Sequence, residues 1–134
     1  MYRMNNVVAE WPDFYPDNTP PQEATPTNGQ SFRLVDSNPP TRDDFRSTIE
    51  ETPHRNFRDE MTKICACGTS QFGKLEDIQK KRKLFPKLRN KLIAEGQLEP
   101  AHGKMLNTFE PSHHTVWYRL TAQPQFNFSV LENI

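Results

Sequence analysis

Apolar and polar residues alternate most clearly in three stretches of this chain. In "SFRLVD", residues 31–36, Phe32 and Leu34 share one side and Arg33 and Val35 the other, as on a β-strand. "HTVWYRL" sets Thr115, Trp117 and Arg119 against Val116, Tyr118 and Leu120, and "FNFSVLENI" alternates Phe126, Phe128 and Val130. "GKMLNTF", residues 103–109, is a shorter run of the same kind.

Between the first strand and these last ones the spacing turns helical. "SNPP" stops the first strand, because Pro39 and Pro40 cannot continue a sheet ladder. Thr41 with Asp44 three positions on is a weak capping box, and predicts a short helix that carries Phe45 and Ile49 inward and breaks at Pro53. "FRDEMTKICAC" is ambiguous. Phe57, Met61 and Ile64 fit a helix, while Ile64 to Cys67 could begin a strand, and Gly68 interrupts either. "TSQFG" reads as a brief extended segment.

From Lys74 onward, Leu75, Ile78, the stem of Arg82 and Phe85 form one helical stripe, with Lys80 and Lys83 turned outward and Pro86 as the end. "KLRNKLIAEGQL" predicts a further helix through Leu88, Leu92 and Ile93, terminated at Gly96. Helices grouped ahead of an antiparallel-looking set of strands point to the α+β class. The expectation is a small mixed or antiparallel sheet with two or three helices, forming a single domain over residues 31–134.

Composition changes the picture at the N-terminus. Seven of the twelve prolines fall in the first 40 residues. Proline fixes φ and removes a backbone donor, so residues 1–30 are expected to form a flexible proline-rich segment. Within it, "VVAEWPDFYP" clusters Trp11, Phe14 and Tyr15. Such aromatic groups dock into a groove, on a partner or on their own domain.

Charge excludes more than it suggests. Seventeen basic and seventeen acidic residues cancel, leaving no global field to draw the 134-residue chain to nucleic acid or an anionic membrane. No run is long and apolar enough to span a bilayer, and the first residues lack a secretion signal. The expected setting is cytoplasmic, without membrane association. One local patch stands out: Lys80, Lys81, Arg82, Lys83, Lys87, Arg89 and Lys91. It reads as a solvated helix face whose charges suit the helix dipole, or as a contact for nucleic acid or an acidic partner.

Candidate chemistry is sparse. Cys65, Cys67, His113 and His114 are four potential zinc ligands. One residue between the cysteines is shorter than structural zinc sites use, however, and adjacent strand histidines face opposite ways. No metal and no cofactor are expected on that basis. A cysteine nucleophile lacks a defined base, and no phosphate loop, dinucleotide fingerprint or serine-hydrolase elbow occurs. Of His113 and His114, one is expected to face the core and the other outward. Their place beside Trp117 and Tyr118 marks the best position for a pocket.

Three stretches, "FRLVDSNPPTRDDF", "CGTSQFGKLEDIQKKRKLFPKLRNKLIAEGQLEPAHGKM" and "SHHTVWY", resemble a group of small uncharacterised bacterial proteins. That group pairs an R-L-V-x-x-N-P-P-T opening with G-x-S-x-F, a helix ending in F-P, and H-H-T-x-W. The likeness spans residues 32–118. The same order is faintly similar to ADP-ribosyltransferase-like domains, which bind a nicotinamide dinucleotide (NAD). That resemblance implies Arg33 as the polar residue of the first core strand and Ser70 as the middle-strand serine. A late acid would come from Glu95, Glu99, Glu110 or Glu132.

The leading expectation is a non-catalytic module that binds another protein through Trp11, Phe14, Tyr15, His113, His114, Trp117 and Tyr118. An ADP-ribosyltransferase-like enzyme or toxin using NAD, with Arg33 and Ser70 as catalytic residues, is the first alternative. Nucleic-acid binding through the basic helix is the second.

Overall fold

A computed structural model describes residues 9–109 and 112–134. Seven strands form one sheet: β1 (Thr25–Pro26), β2 (Gly29–Val35), β3 (Thr69–Phe72), β4 (Leu92–Leu98), β5 (Gly103–Asn107), β6 (His113–Tyr118) and β7 (Phe128–Val130). Their spatial order is β1-β5-β6-β3-β2-β4-β7, and every neighbouring pair is antiparallel. Among the described residues three α-helices accompany the sheet: α1 (Thr48–Glu51), α2 (Glu60–Ala66) and α3 (Leu75–Leu84). The α+β class is as expected; the sheet is larger than the small one predicted.

The sheet curls. Val35, Leu98, Val116 and Phe128 come from four different strands yet share one core cluster with Phe45 and Tyr118, so this face closes around them. The outer face carries two further clusters. α3 lays Ile78 on Phe32, Phe72 and Ile93, while α2 lays Ile64 and Cys67 against Trp117. Trp117 is fully buried, and its indole N–H donates to the Ile64 carbonyl at 2.9 Å, which ties α2 to β6. Burying a ring of that size contributes about 3 kcal/mol.

Local signals worked where caps and breakers dominate. Asp59 accepts from the Thr62 amide at 2.8 Å to start α2, which resolves the ambiguous stretch as a helix. The Asp44 carboxylate accepts from the amides of Asp36 and Thr41, both at 2.8 Å, but the one short helix expected from Thr41 is divided into a 3-10 turn, Arg42–Phe45, which buries Phe45, and the separate α1. Phe85 differs from expectation. It lies beyond the end of α3 and is 48% exposed, under the Lys81 ammonium.

Two expectations are corrected. The helix predicted over Leu88, Leu92 and Ile93 is instead β4, which pairs with β2 over seven positions from Gly29↔Leu98 to Val35↔Leu92. The apolar run of β4 is short, Leu92 to Ala94, and Glu95, Gly96 and Gln97 follow it, so the spacing of Leu88, Leu92 and Ile93 suits a helix as well as a strand. Gly96 is therefore not a terminator. It lets the Phe128 ring approach the strand, for a Cβ there would stand 2.5 Å from that ring.

The second correction concerns the proline-rich segment. Residues 9–30 pack on the sheet rather than forming a flexible tail, and the sheet begins with β1, ahead of residue 31. The Glu10 carbonyl accepts from the Leu120 amide, and its carboxylate from Arg119 Nε at 2.7 Å. Trp11 and Tyr15 join the Trp117 cluster. Thr27 is fully buried and donates to the Glu99 carbonyl at 2.6 Å. Prolines remove their own donors, but these side chains supply anchors that the prolines do not disturb. Residues 1–8 lie outside the described part.

Candidate active site

Strand alternation places the chemistry. In the β3·β6 ladder Ser70 pairs with Thr115 and Phe72 with His113, so Ser70, Phe72, His113, Thr115 and Trp117 all face outward from the curl. Thr69, Gln71, His114, Val116 and Tyr118 face inward. The two histidines do take opposite faces. Neither is solvent-facing, however, because the outer face is itself covered: His113 is 6% exposed and His114 4%.

Inside the curl His114 belongs to a closed network. Its Nε2 lies 2.9 Å from Ser31 Oγ, which donates to Gln71 Oε1 at 2.7 Å. The Gln71 amide nitrogen donates in turn to Thr69 Oγ1 and the Tyr118 hydroxyl. Burial, and next the neighbouring His113, push the His114 pKa down to about 4, so this ring is neutral. Every member is satisfied by another, which is the mark of a structural core network.

On the outer face the arrangement is different. Ser70 Oγ lies 2.6 Å from His113 Nε2. On the ring's other side His113 Nδ1 is 3.1 Å from the Thr108 carbonyl and 2.9 Å from Thr108 Oγ1. A carbonyl can only accept, so the proton belongs on Nδ1 and the Nε2 lone pair meets the Ser70 hydroxyl. The ring is steadied by the edge-on Phe72 at 5.1 Å and by Phe109 at 5.5 Å. A hydroxyl, a base and an acceptor that orients the base stand in line, as a serine nucleophile requires.

A cleft of about 190 Å³ opens over this pair, between α2 and α3. Its walls include Cys65 and Thr62 of α2, Lys81 of α3, Phe109, and Arg55 and Phe57 from the loop before α2. The Arg55 guanidinium stands 5.2 Å over the Phe57 ring. Among the described residues neither Arg55 nor Lys81 has a carboxylate within 4 Å, and the Lys81 ammonium lies 4.8 Å over the Phe85 ring. Burial pushes the Cys65 thiol pKa up, which keeps it protonated and unlike a thiolate nucleophile.

A second cavity of about 320 Å³ shares Thr48, Arg55, Ser70 and Lys81 with the first and adds Arg33, Glu51 and Lys91. The buried Arg33 guanidinium donates to the carbonyls of Asp44 and Ser70, each at 3.0 Å, and of Arg46 at 3.3 Å, with Glu51 at 3.8 Å. The two residues implied by the transferase resemblance thus come together. The acid nearby is Glu51, between β2 and β3, and not a late one. Glu95 accepts from Gln30, Glu99 and Glu132 are exposed, and Glu110 lies outside the described residues.

The other candidates scatter. Trp117 and Tyr118 are core residues, Trp11 and Tyr15 are half-buried on their own domain, and Phe14 is 39% exposed. The basic patch divides between α3 and the loop before β4. Lys80, Lys83 and Lys87 are exposed, Arg82 donates to the carbonyls of Lys91 and Ile134, Arg89 donates to that of Lys83, and Lys91 pairs with Asp36. Lys81 alone of this patch lines both cavities with Ser70.

Sequence reasoning missed Thr108, Arg55, Phe57 and Phe109. All four lie in loops, where no periodic signal exists. Among the described residues no three His, Cys, Asp or Glu side chains are grouped to hold a metal ion, both cysteines are free, and no helix is long and apolar enough to cross a membrane.

No family model matches this chain, and no match to it was found among curated proteins or solved structures.

Proposed function

We propose that this chain is an enzyme that cleaves or transfers a phosphate ester, with Ser70 as nucleophile and His113 as its general base. The observation that carries the reading is the 2.6 Å contact from Ser70 Oγ to His113 Nε2, on a ring whose Nδ1 is committed to the Thr108 carbonyl. As Ser70 Oγ attacks phosphorus, its proton passes to Nε2 and an Oγ–P bond forms. The leaving oxygen departs with the P–O electron pair and takes the proton from Nε2. Water, deprotonated by the same nitrogen, then cleaves the Oγ–P bond and restores the hydroxyl. Arg55 and Lys81 offset the negative charge of the phosphoryl oxygens.

Release of 4-nitrophenol from bis- and mono-(4-nitrophenyl) phosphate tests this. Ser70→Ala should abolish turnover, and His113→Ala should lower kcat by roughly a hundredfold or more. An unchanged rate in Ser70→Ala, or no release of nitrophenol by the native chain from either ester, would count against it.

A second reading is the NAD-dependent transferase, favoured by Arg33, Ser70 and Glu51 lining one cavity. It requires NAD to bind by calorimetry and Glu51→Gln to abolish transfer without abolishing binding. The protein-binding expectation has less support. Of its seven residues only His113 lines the Ser70 cleft, while Trp117, Tyr118 and His114 are enclosed.

A further inference from the structure

Phe109 is spent on no core. It is 74% exposed and lies in the β5–β6 connection with φ +62°, the left-handed region that non-glycine residues seldom adopt. Its ring lies at the cleft wall, 5.5 Å from the His113 ring and tilted 47° to it. A single exposed phenylalanine is ordinary. One that combines an unusual backbone conformation with a place beside the His113 ring, on the wall of a cavity, points to a functional use.

The cleft's polar character is complementary. Phe57, its other aromatic wall, carries the Arg55 guanidinium over its face, and Lys81 comes from α3. Cations that suit a phosphate and an open aromatic face that suits a flat ring therefore border one small cavity.

Resting on the phosphate reading above, we infer that the substrate is a nucleoside phosphate, whose base stacks on Phe109 while its phosphate meets Arg55 and Lys81 beside Ser70. Stacking tolerates any base, because each has a π-face, so the geometry selects for a ring and not for one sequence of donors and acceptors. Ribose 5-phosphate offers the same phosphate without the ring and separates the two contributions.

Calorimetry would compare adenosine 5′-monophosphate with ribose 5-phosphate, both on Ser70→Ala protein so that nothing turns over. The nucleotide should bind roughly tenfold more tightly. Phe109→Asn, which tolerates the left-handed backbone, should bring the two to near equality, and Phe109→Trp should restore the preference. Arg55→Ala should weaken both ligands alike. If ribose 5-phosphate binds as tightly as the nucleotide, or if Phe109→Asn leaves the ratio unchanged, the stacking role is overturned while phosphate recognition stands. If neither ligand binds, both fall.

Discussion

Acidification should destabilise this protein through one buried ring. His114 sits inside the curled sheet, 4% exposed, against Ser31 and the Gln71 network. Its pKa is pushed from the ordinary 6.5 down to about 4, chiefly by burial. Above pH 6.5 the ring is neutral in both the folded and the unfolded chain, and its full contribution to stability is present. Between pH 6.5 and about 4 the unfolded chain takes up a proton that the folded one refuses, so stability falls as the pH falls. At about 1.4 kcal/mol per pH unit, that interval corresponds to a loss of about 3 kcal/mol. Urea unfolding at pH 7.5 and at pH 4, on the native chain and on His114→Gln, isolates the effect, because the carboxylates titrate alike in both proteins. The native chain should lose about 3 kcal/mol more than the variant. A difference below about 1 kcal/mol, or a His114 imidazole resonance in NMR that titrates near pH 6.5, would refute the reasoning.

Gly96→Ala should cost about 1–3 kcal/mol in thermal or urea unfolding, because the added methyl meets the Phe128 ring and the Asn127 carbonyl. A melting temperature equal to that of the native chain would show that β7 yields freely. Cys65 and Cys67 are buried, and burial pushes the Cys67 thiol up to about 11. Iodoacetamide at pH 7.5 should therefore label them slowly in the native chain and fully in urea, as read by mass spectrometry. Rapid labelling of the native chain would contradict the packing of α2 on β6.

The sequence by itself determined the elements whose signals are local. Alternation marked β2, β5 and β6, and the run "TSQFG" marked β3. Pro39, Pro53 and Pro86 marked where elements stop. Leu75 and Ile78 marked α3, because a helix covered on one side keeps its stripe. Ser70 and His113 were both legible as candidates, though for unrelated reasons: one from a resemblance, the other from its neighbours. Only the tertiary structure brought them together, because the β3·β6 register joins residues 43 positions apart, and sequence spacing carries no record of register. The same holds for β4, which reads as a helix until β2 and β7 flank it. It holds for residues 9–30 as well, whose prolines read as a tail until Trp11, Tyr15 and Thr27 find partners on the sheet. Of the cleft's two cations only Lys81 sits on a helix, α3; Arg55, the acceptor that orients His113 and the exposed Phe109 lie in loops. What places them is the path of the chain between strands, which the folded sheet sets and local composition does not.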